Sequence, residues 1–176
     1  MISKYFPSAR VENVFLIDYQ KLYNNGFKAL IFDIDSTLVP HGAPSTPEIL
    51  ELFNELKNIG FRILLLSNNS IERIEDFNQG ISVPYIAMAD KPRNNNYLKA
   101  LKQLDVTKDE ALVIGDQLFT DILGANRSGI KSILVDFLMY DHETKIGKKR
   151  QLEKVFLRFY AKSKYNNSLG NILKEN

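Results

Sequence analysis

The chain contains no cysteine and no tryptophan, and its 176 residues include only two histidines, His41 and His142. Without cysteine there can be no disulfide framework, no thiolate metal site and no cysteine-phosphatase nucleophile. Neither histidine has a second one at metal-ligand spacing, so both read as loop residues. Long apolar runs are also missing, and none approaches the roughly 18 residues needed to span a bilayer. The opening from Met1 to Pro7 carries no secretory apolar stretch and no small-residue cleavage site. These absences lead us to expect a cytoplasmic protein, peripheral at the inner face of the membrane if it meets a membrane at all. No internal repeat or low-complexity linker is visible, and 44% hydrophobic with 25% charged residues is ordinary for a globular chain of about one domain.

What is present is unevenly charged. The formal net charge is +2, but between positions 145 and 164 eight Lys or Arg face one acid, Glu153, leaving 15 basic and 20 acidic residues elsewhere. An acidic body with a basic tail implies an anionic partner for the tail. Within that tail Leu152, Val155, Phe156 and Phe159 fall at i, i+3, i+4 and i+7, an apolar helical stripe flanked by Lys149, Arg150, Lys154, Arg158 and Lys162. Such a helix can lie on an anionic membrane surface. It can equally pack its stripe on the body and leave its charges solvated.

The organising stretch is Ile31-Phe32-Asp33-Ile34-Asp35-Ser36-Thr37-Leu38-Val39. The run from residue 28 to Phe32 reads as a strand, and residues two apart on an extended backbone point the same way. Asp33 and Asp35 are thus presented together where the strand stops. Their mutual repulsion calls for a positive neighbour, and hard carboxylate oxygens suit Mg²⁺. Taken alone, the same stretch could be an ordinary turn.

Three later stretches end or follow apolar runs. Leu64-Leu65-Leu66 leads into Ser67-Asn68-Asn69, Lys91 follows a polar break, and Ala111-Leu112-Val113-Ile114 leads into Gly115-Asp116-Gln117-Leu118-Phe119-Thr120-Asp121. Each has a bland reading alone: a helix cap, a surface lysine, a turn. Around them alternate strands at about 28–34, 61–66, 84–87, 111–115 and 131–136, and helices at about 47–58, 70–78, 92–104 and 118–128. The strands are continuous apolar runs, as in a sheet covered on both faces, so the fold class is a doubly wound α/β domain. Thr46-Pro47-Glu48 caps the first of these helices, whose stripe is Ile49, Leu50, Phe53 and Leu56, with Leu52 at its edge. Pro92 is expected to start the third, with Leu98, Leu101 and Leu104 inward. Residues 1–27 read as a lead-in with a short helix from Asp18 to about Asn24, 28–140 as the α/β domain that carries the four stretches (the catalytic domain, by the resemblance given next) and 141–176 as the basic tail.

Taken jointly, the four stretches resemble the haloacid dehalogenase (HAD) superfamily over Phe32 to Asp121. The segments Phe32 to Val39, Leu66 to Asn69, Lys91-Pro92 and Ile114 to Gly129 resemble a narrower group, the YqeG-type phosphatases, relatives of the mitochondrial phosphatidylglycerophosphate phosphatase. The resemblance implies a HAD-like fold with a five-stranded, mainly parallel sheet in order 3-2-1-4-5. It implies Asp33 as the nucleophile that becomes an aspartyl-phosphate and Asp35 as general acid and base. Thr37, Ser67, Asn68 and Lys91 would bind phosphate. Asp33, the Asp35 carbonyl and Asp116 would hold Mg²⁺, with Asp121 behind them holding Lys91 or acting through water. HAD enzymes for small metabolites usually insert a cap domain, yet only Pro40 to Thr46 follows the first motif and 22 residues separate Asn68 from Lys91. The site should therefore be open, which agrees with a lipid phosphomonoester such as phosphatidylglycerophosphate. A phosphatase for a phosphoprotein, nucleotide or other soluble monoester shares every one of these residues. A non-catalytic nucleic-acid-binding module is the alternative that the basic tail alone would allow.

Overall fold

The computed structural model describes residues 2–140 and 147–175. The readings of His142 as a loop residue and of Lys145 as part of the basic run lie outside them. Six strands form one sheet: β1 (Ala9–Val11), β2 (Ala29–Phe32), β3 (Arg62–Leu66), β4 (Tyr85–Ile86), β5 (Ala111–Gly115) and β6 (Lys131–Val135). Their order is β1-β6-β5-β2-β3-β4, and every pairing is parallel. Five of them reproduce the 3-2-1-4-5 order. The sixth corrects the expected count, because part of the lead-in pairs as an edge strand, Ala9 opposite Ile133 and Val11 opposite Val135. Three residues of alternating burial give little periodic signal, which is why that strand is hard to read from sequence.

Helices cover both faces. On one side lie α1 (Tyr19–Asn24), α2 (Pro47–Ile59) and α3 (Ile71–Asn78), whose Leu22, Phe53, Leu56, Ile74 and Phe77 pack on Leu30, Phe32, Ile63 and Leu65. On the other, α4 (Asn95–Leu104) and α5 (Leu123–Arg127) bring Tyr97, Leu101 and Ala125 against Ile31, Leu64 and Val113. The last helix, α6 (Lys148–Ala161), joins them beside Leu134 through Phe156 and Leu157.

Local signals explain most element starts. The Thr46 hydroxyl accepts from Ile49 N, and Gly60 ends α2 at φ 109°, a left-handed conformation that favours glycine. In α2 it is Leu52 that is buried with Ile49, Phe53 and Leu56, while Leu50 is only partly so. Helix α4 begins at Asn95, not at Pro92, because residues 91–93 are used to place Lys91. Its inner face is Tyr97, Ala100, Leu101 and Leu104, and Leu98 is exposed. The helix expected over 118–128 opens as a π-helical turn, Leu118–Ile122, before α5. Such turns re-aim side chains at functional positions, and this one contains Asp121.

The tail departs most from its expected packing. Helix α6 turns Arg150, Glu153 and Tyr160 to the body, and Phe156 sits edge-on to Tyr5 and Phe119 at 5.0 and 5.3 Å. Leu152, Val155 and Phe159 are exposed. The apolar stripe therefore splits at Phe156, because a buried Glu153 with polar partners takes the inward position. No helix among the described residues is long and apolar enough to cross a membrane.

Candidate active site

In a parallel sheet all strand C-termini share one edge, and ligands bind outside it where connections diverge to opposite faces. Here that point lies between β2 and β5. Asp33 follows β2 directly and its N–H donates to Ile114 O of β5 at 3.0 Å. Asp116 follows β5, Ser67 follows β3, and Lys91 arrives on the connection after β4. All four are buried. Asp33, Ser67 and Lys91 line a cavity of about 270 Å³ together with Asp35, Asn68, Asn69 and Lys149, and Asp116 lines a second one of about 180 Å³ with Arg150.

Lys91 is the hub. Its Nζ lies 2.6 Å from Asp33 Oδ1 and 2.7 Å from Asp121 Oδ1. Burial alone would lower the ammonium pKa, but the Asp121 and Asp33 carboxylates outweigh it and raise the pKa, so Lys91 stays charged. Asn68 clips the loop that carries it: Asn68 Oδ1 accepts from Lys91 N at 2.8 Å, and Nδ2 donates to Lys91 O at 3.3 Å. The Thr37 hydroxyl donates to Asp33 Oδ2 at 3.0 Å and lies at the same distance from Asp116 Oδ1. Asp121 Oδ2 accepts from Gln117 N at 3.0 Å, so both of its oxygens are engaged. Gly115 allows this approach, since a Cβ there would sit 2.5 Å from Asp121 Cγ.

Burial drives Asp33 up from the ordinary carboxylate range, with Lys91 pulling against it. Burial, and then the charges of Asp33 and Asp121, push Asp116 up to about 7, with Arg150 opposing. Asp33, Asp116 and Asp121 each offer an oxygen, all within 4.8 Å of one another. An all-oxygen set of three buried acids suits a hard divalent cation. Part of the missing positive charge is met by Arg150, whose guanidinium pairs with Asp116 Oδ2 and donates to Asp116 O at 2.7 Å.

The sequence reading missed two groups of contacts. Arg150 is expected on the flank of a helix that either lies on a membrane or packs its stripe on the body, yet it reaches the strand-end acid, and Glu153 fixes it at 3.1 Å. Asp35 is held by residues that carried no role: Arg73 Nη2 at 2.6 Å, Asn69 Nδ2 at 2.7 Å and Gly42 N at 3.2 Å, with His41 Nδ1 3.3 Å away. For Asn69 and Arg73 the available signal is nearness to Ser67, and for His41 and Gly42 nearness to Asp35, because sequence cannot show that the first turn of α3 faces the loop after β2.

Acids at the ends of adjoining parallel strands, with a buried lysine and a serine between them, form the arrangement of HAD-like hydrolases. The HAD-hydrolase-like family model matches residues 88–151. A Bacillus subtilis protein described as a probable phosphatase, YqeG, is 39% identical over 137 residues, covering 77% of this chain and 80% of that protein. The chain belongs to the YqeG-type phosphatases of the HAD superfamily. More distant is the phosphatidylglycerophosphate phosphatase 1 of Arabidopsis thaliana, 26% identical over 163 residues, which are 86% of this chain and 47% of that one. Among solved structures, an uncharacterized Listeria monocytogenes protein matches with TM-score 0.54 and 21% identity, covering 78% of this chain and all of that one. A HAD family hydrolase of Deinococcus radiodurans, solved with bound phosphate and sodium, matches with TM-score 0.50 and 14% identity over 63% of this chain and 92% of that one. Both support the fold.

Proposed function

We propose that the chain is a Mg²⁺-dependent phosphomonoester hydrolase that works through an aspartyl-phosphate on Asp33 and takes a lipid-borne phosphate such as phosphatidylglycerophosphate. The observation that carries the mechanism is Asp33 itself, buried at a strand end with one oxygen on Lys91 and the other on Thr37. Two donors hold the carboxylate in one orientation, as a nucleophile requires.

Asp33 attacks phosphorus, a P–O bond to Asp33 forms, and the ester P–O bond breaks. Asp35, at the mouth, gives the departing alkoxide its proton. Water then attacks the same phosphorus, losing its proton to Asp35, and the bond to Asp33 breaks to release phosphate. Lys91, the Ser67 hydroxyl and the main-chain N–H of Asn68 stabilise the transferring oxygens. Asp121 keeps Lys91 aimed. Asp33, the main-chain carbonyl of Asp35 and Asp116 would hold Mg²⁺, which, when bound, supplies charge neutralisation for the meeting of two anions.

The lipid substrate is supported by the open mouth and by the distant relation to the Arabidopsis enzyme. No cap separates β2 from α2 or β3 from β4, so a bulky alcohol can remain outside while its phosphate enters. The protein would then work as a peripheral enzyme at an anionic membrane.

The test is phosphate release from a panel holding phosphatidylglycerophosphate in micelles, phosphopeptides, nucleotides and sugar phosphates, with Mg²⁺, with Ca²⁺ and with EDTA. The lipid should be the best substrate, and Mg²⁺ should be required. Asp33→Asn should lose turnover by about a thousandfold or more with its circular dichroism unchanged. A soluble ester outrunning the lipid would move the substrate assignment, and an active Asp33→Asn would end the covalent mechanism.

A further inference from the structure

The exposed apolar side chains are not spread evenly around the sheet. Phe15 and Leu16 follow β1, Ile71 opens α3 after β3, Met88 follows β4 and Met139 follows β6, and all five are exposed. Because every strand is parallel, these positions share the edge that holds Asp33. Backbone contacts tie two of these positions to the site: Met88 N donates to Asn69 O at 2.9 Å, and Leu138 N, next to Met139, donates to Ser36 O at 2.8 Å. Met88 is 70% exposed in a left-handed conformation (φ 46°), a costly place for a large apolar residue with nothing to cover it. Lys149, in the first turn of α6, adds a cation at the same mouth, with Lys148 beside it.

We infer that the catalytic end of the sheet is itself the docking face for an anionic lipid bilayer, with the apolar rim entering the headgroup layer and Lys148 and Lys149 meeting lipid phosphates. This rests on the lipid-phosphate reading above and assigns the surface that would serve it. Seated this way, the mouth opens onto the headgroups, so a phosphate need not leave the bilayer far to reach Asp33. The outer face of α6 is the competing surface. It runs from Arg150, on Asp116 at the catalytic end, to Tyr160, which packs on Phe6 before the start of β1. Laying that helix flat on a bilayer would turn the mouth sideways.

The absence of cysteine makes the test clean, since one introduced thiol labels one site. In the full chain, Met88→Cys and Phe159→Cys are each coupled to an environment-sensitive fluorophore and mixed with phosphatidylcholine vesicles with or without phosphatidylglycerol. The label at 88 should shift to the blue with the anionic vesicles, and the label at 159 should not. A shift at 159 alone, at neither position, or at 88 without vesicles as protein concentration rises would overturn the inference, the last by pointing to a second copy of the chain. Separately, Phe15→Glu with Met88→Glu should lower vesicle affinity about tenfold or more. It should still hydrolyse a soluble ester, which also shows that it is folded. Leu152→Glu with Phe159→Glu should bind vesicles as the wild type does, and the reverse pattern would overturn the rim. Since these vesicles carry no phosphomonoester, loss of the lipid-substrate reading would appear separately, as docking without phosphate release.

Discussion

At the scale of single residues the site is a problem of charge. Asp116, pushed up to about 7, carries a folded-state pKa above its unfolded value of about 3.9. The folded protein thus holds this proton more tightly than the unfolded chain. Without a divalent ion the group's stabilising contribution is complete below about pH 4 and is lost as pH rises through 7. A bound cation needs the carboxylate, so it reverses that loss. The rise in melting temperature on adding Mg²⁺ should therefore be larger at pH 8 than at pH 5, measured by scanning calorimetry. An equal or smaller rise at pH 8 would contradict a site built on Asp116. Arg73 is a positioning residue for Asp35, from which it also reaches Ala43 O at 2.7 Å. In the proposed mechanism the substrate phosphate meets Lys91 and Ser67 while proton transfer needs Asp35 in place, so Arg73→Met should lower kcat about tenfold with little change in KM. Arg73→Lys should recover part of the rate, and a change confined to KM would refute the assignment.

At the scale of elements, α6 is held less by its apolar stripe than by a polar clasp. Glu153 is buried, accepts from Leu118 N at 2.9 Å at the start of the π-helical turn, and braces Arg150. That turn leads to Asp121, so one glutamate joins the tail to the segment that aims Lys91. Glu153→Leu keeps the volume but leaves the Leu118 N–H buried without a partner. The loss should be about 1–3 kcal/mol in urea denaturation. A change within about 0.5 kcal/mol would show that α6 contributes little there.

At the scale of the whole molecule, the connections that leave β2 and β3 at the catalytic edge carry no inserted domain. The residues between β2 and α2 and between β3 and β4 supply the acid, its tethers and the serine, and build no lid. Under the lipid-phosphate reading proposed above, such a mouth gains little from enclosing a small alcohol, and selectivity comes from the surface that presents the phosphate. Initial rates on one phosphatidylglycerophosphate pool should fall as the lipid is diluted with neutral detergent at constant bulk concentration, whereas rates on a small soluble ester should not change. Identical behaviour of the two substrates would argue against a surface-presented phosphate.

The sequence by itself determined the alternation of strands and helices and the four chemistry-bearing stretches, because continuous apolar runs, Pro and Gly at helix ends, and acids after strands are local consequences of backbone geometry and burial. The resemblance those stretches carried then named the class and the order of five strands. Tertiary structure alone decided what depends on distant segments meeting. It added β1 at the edge beside β6, since three residues are too short to announce a strand until a partner exists. It placed Arg73 and Asn69 on Asp35 across more than 30 residues of chain. It turned Arg150 inward, where periodicity favoured Leu152, Val155 and Phe159, because the helical period ranks residues by polarity and cannot see that a buried Asp116 needs a cation. An ion pair between segments 34 residues apart leaves no periodic trace in either one.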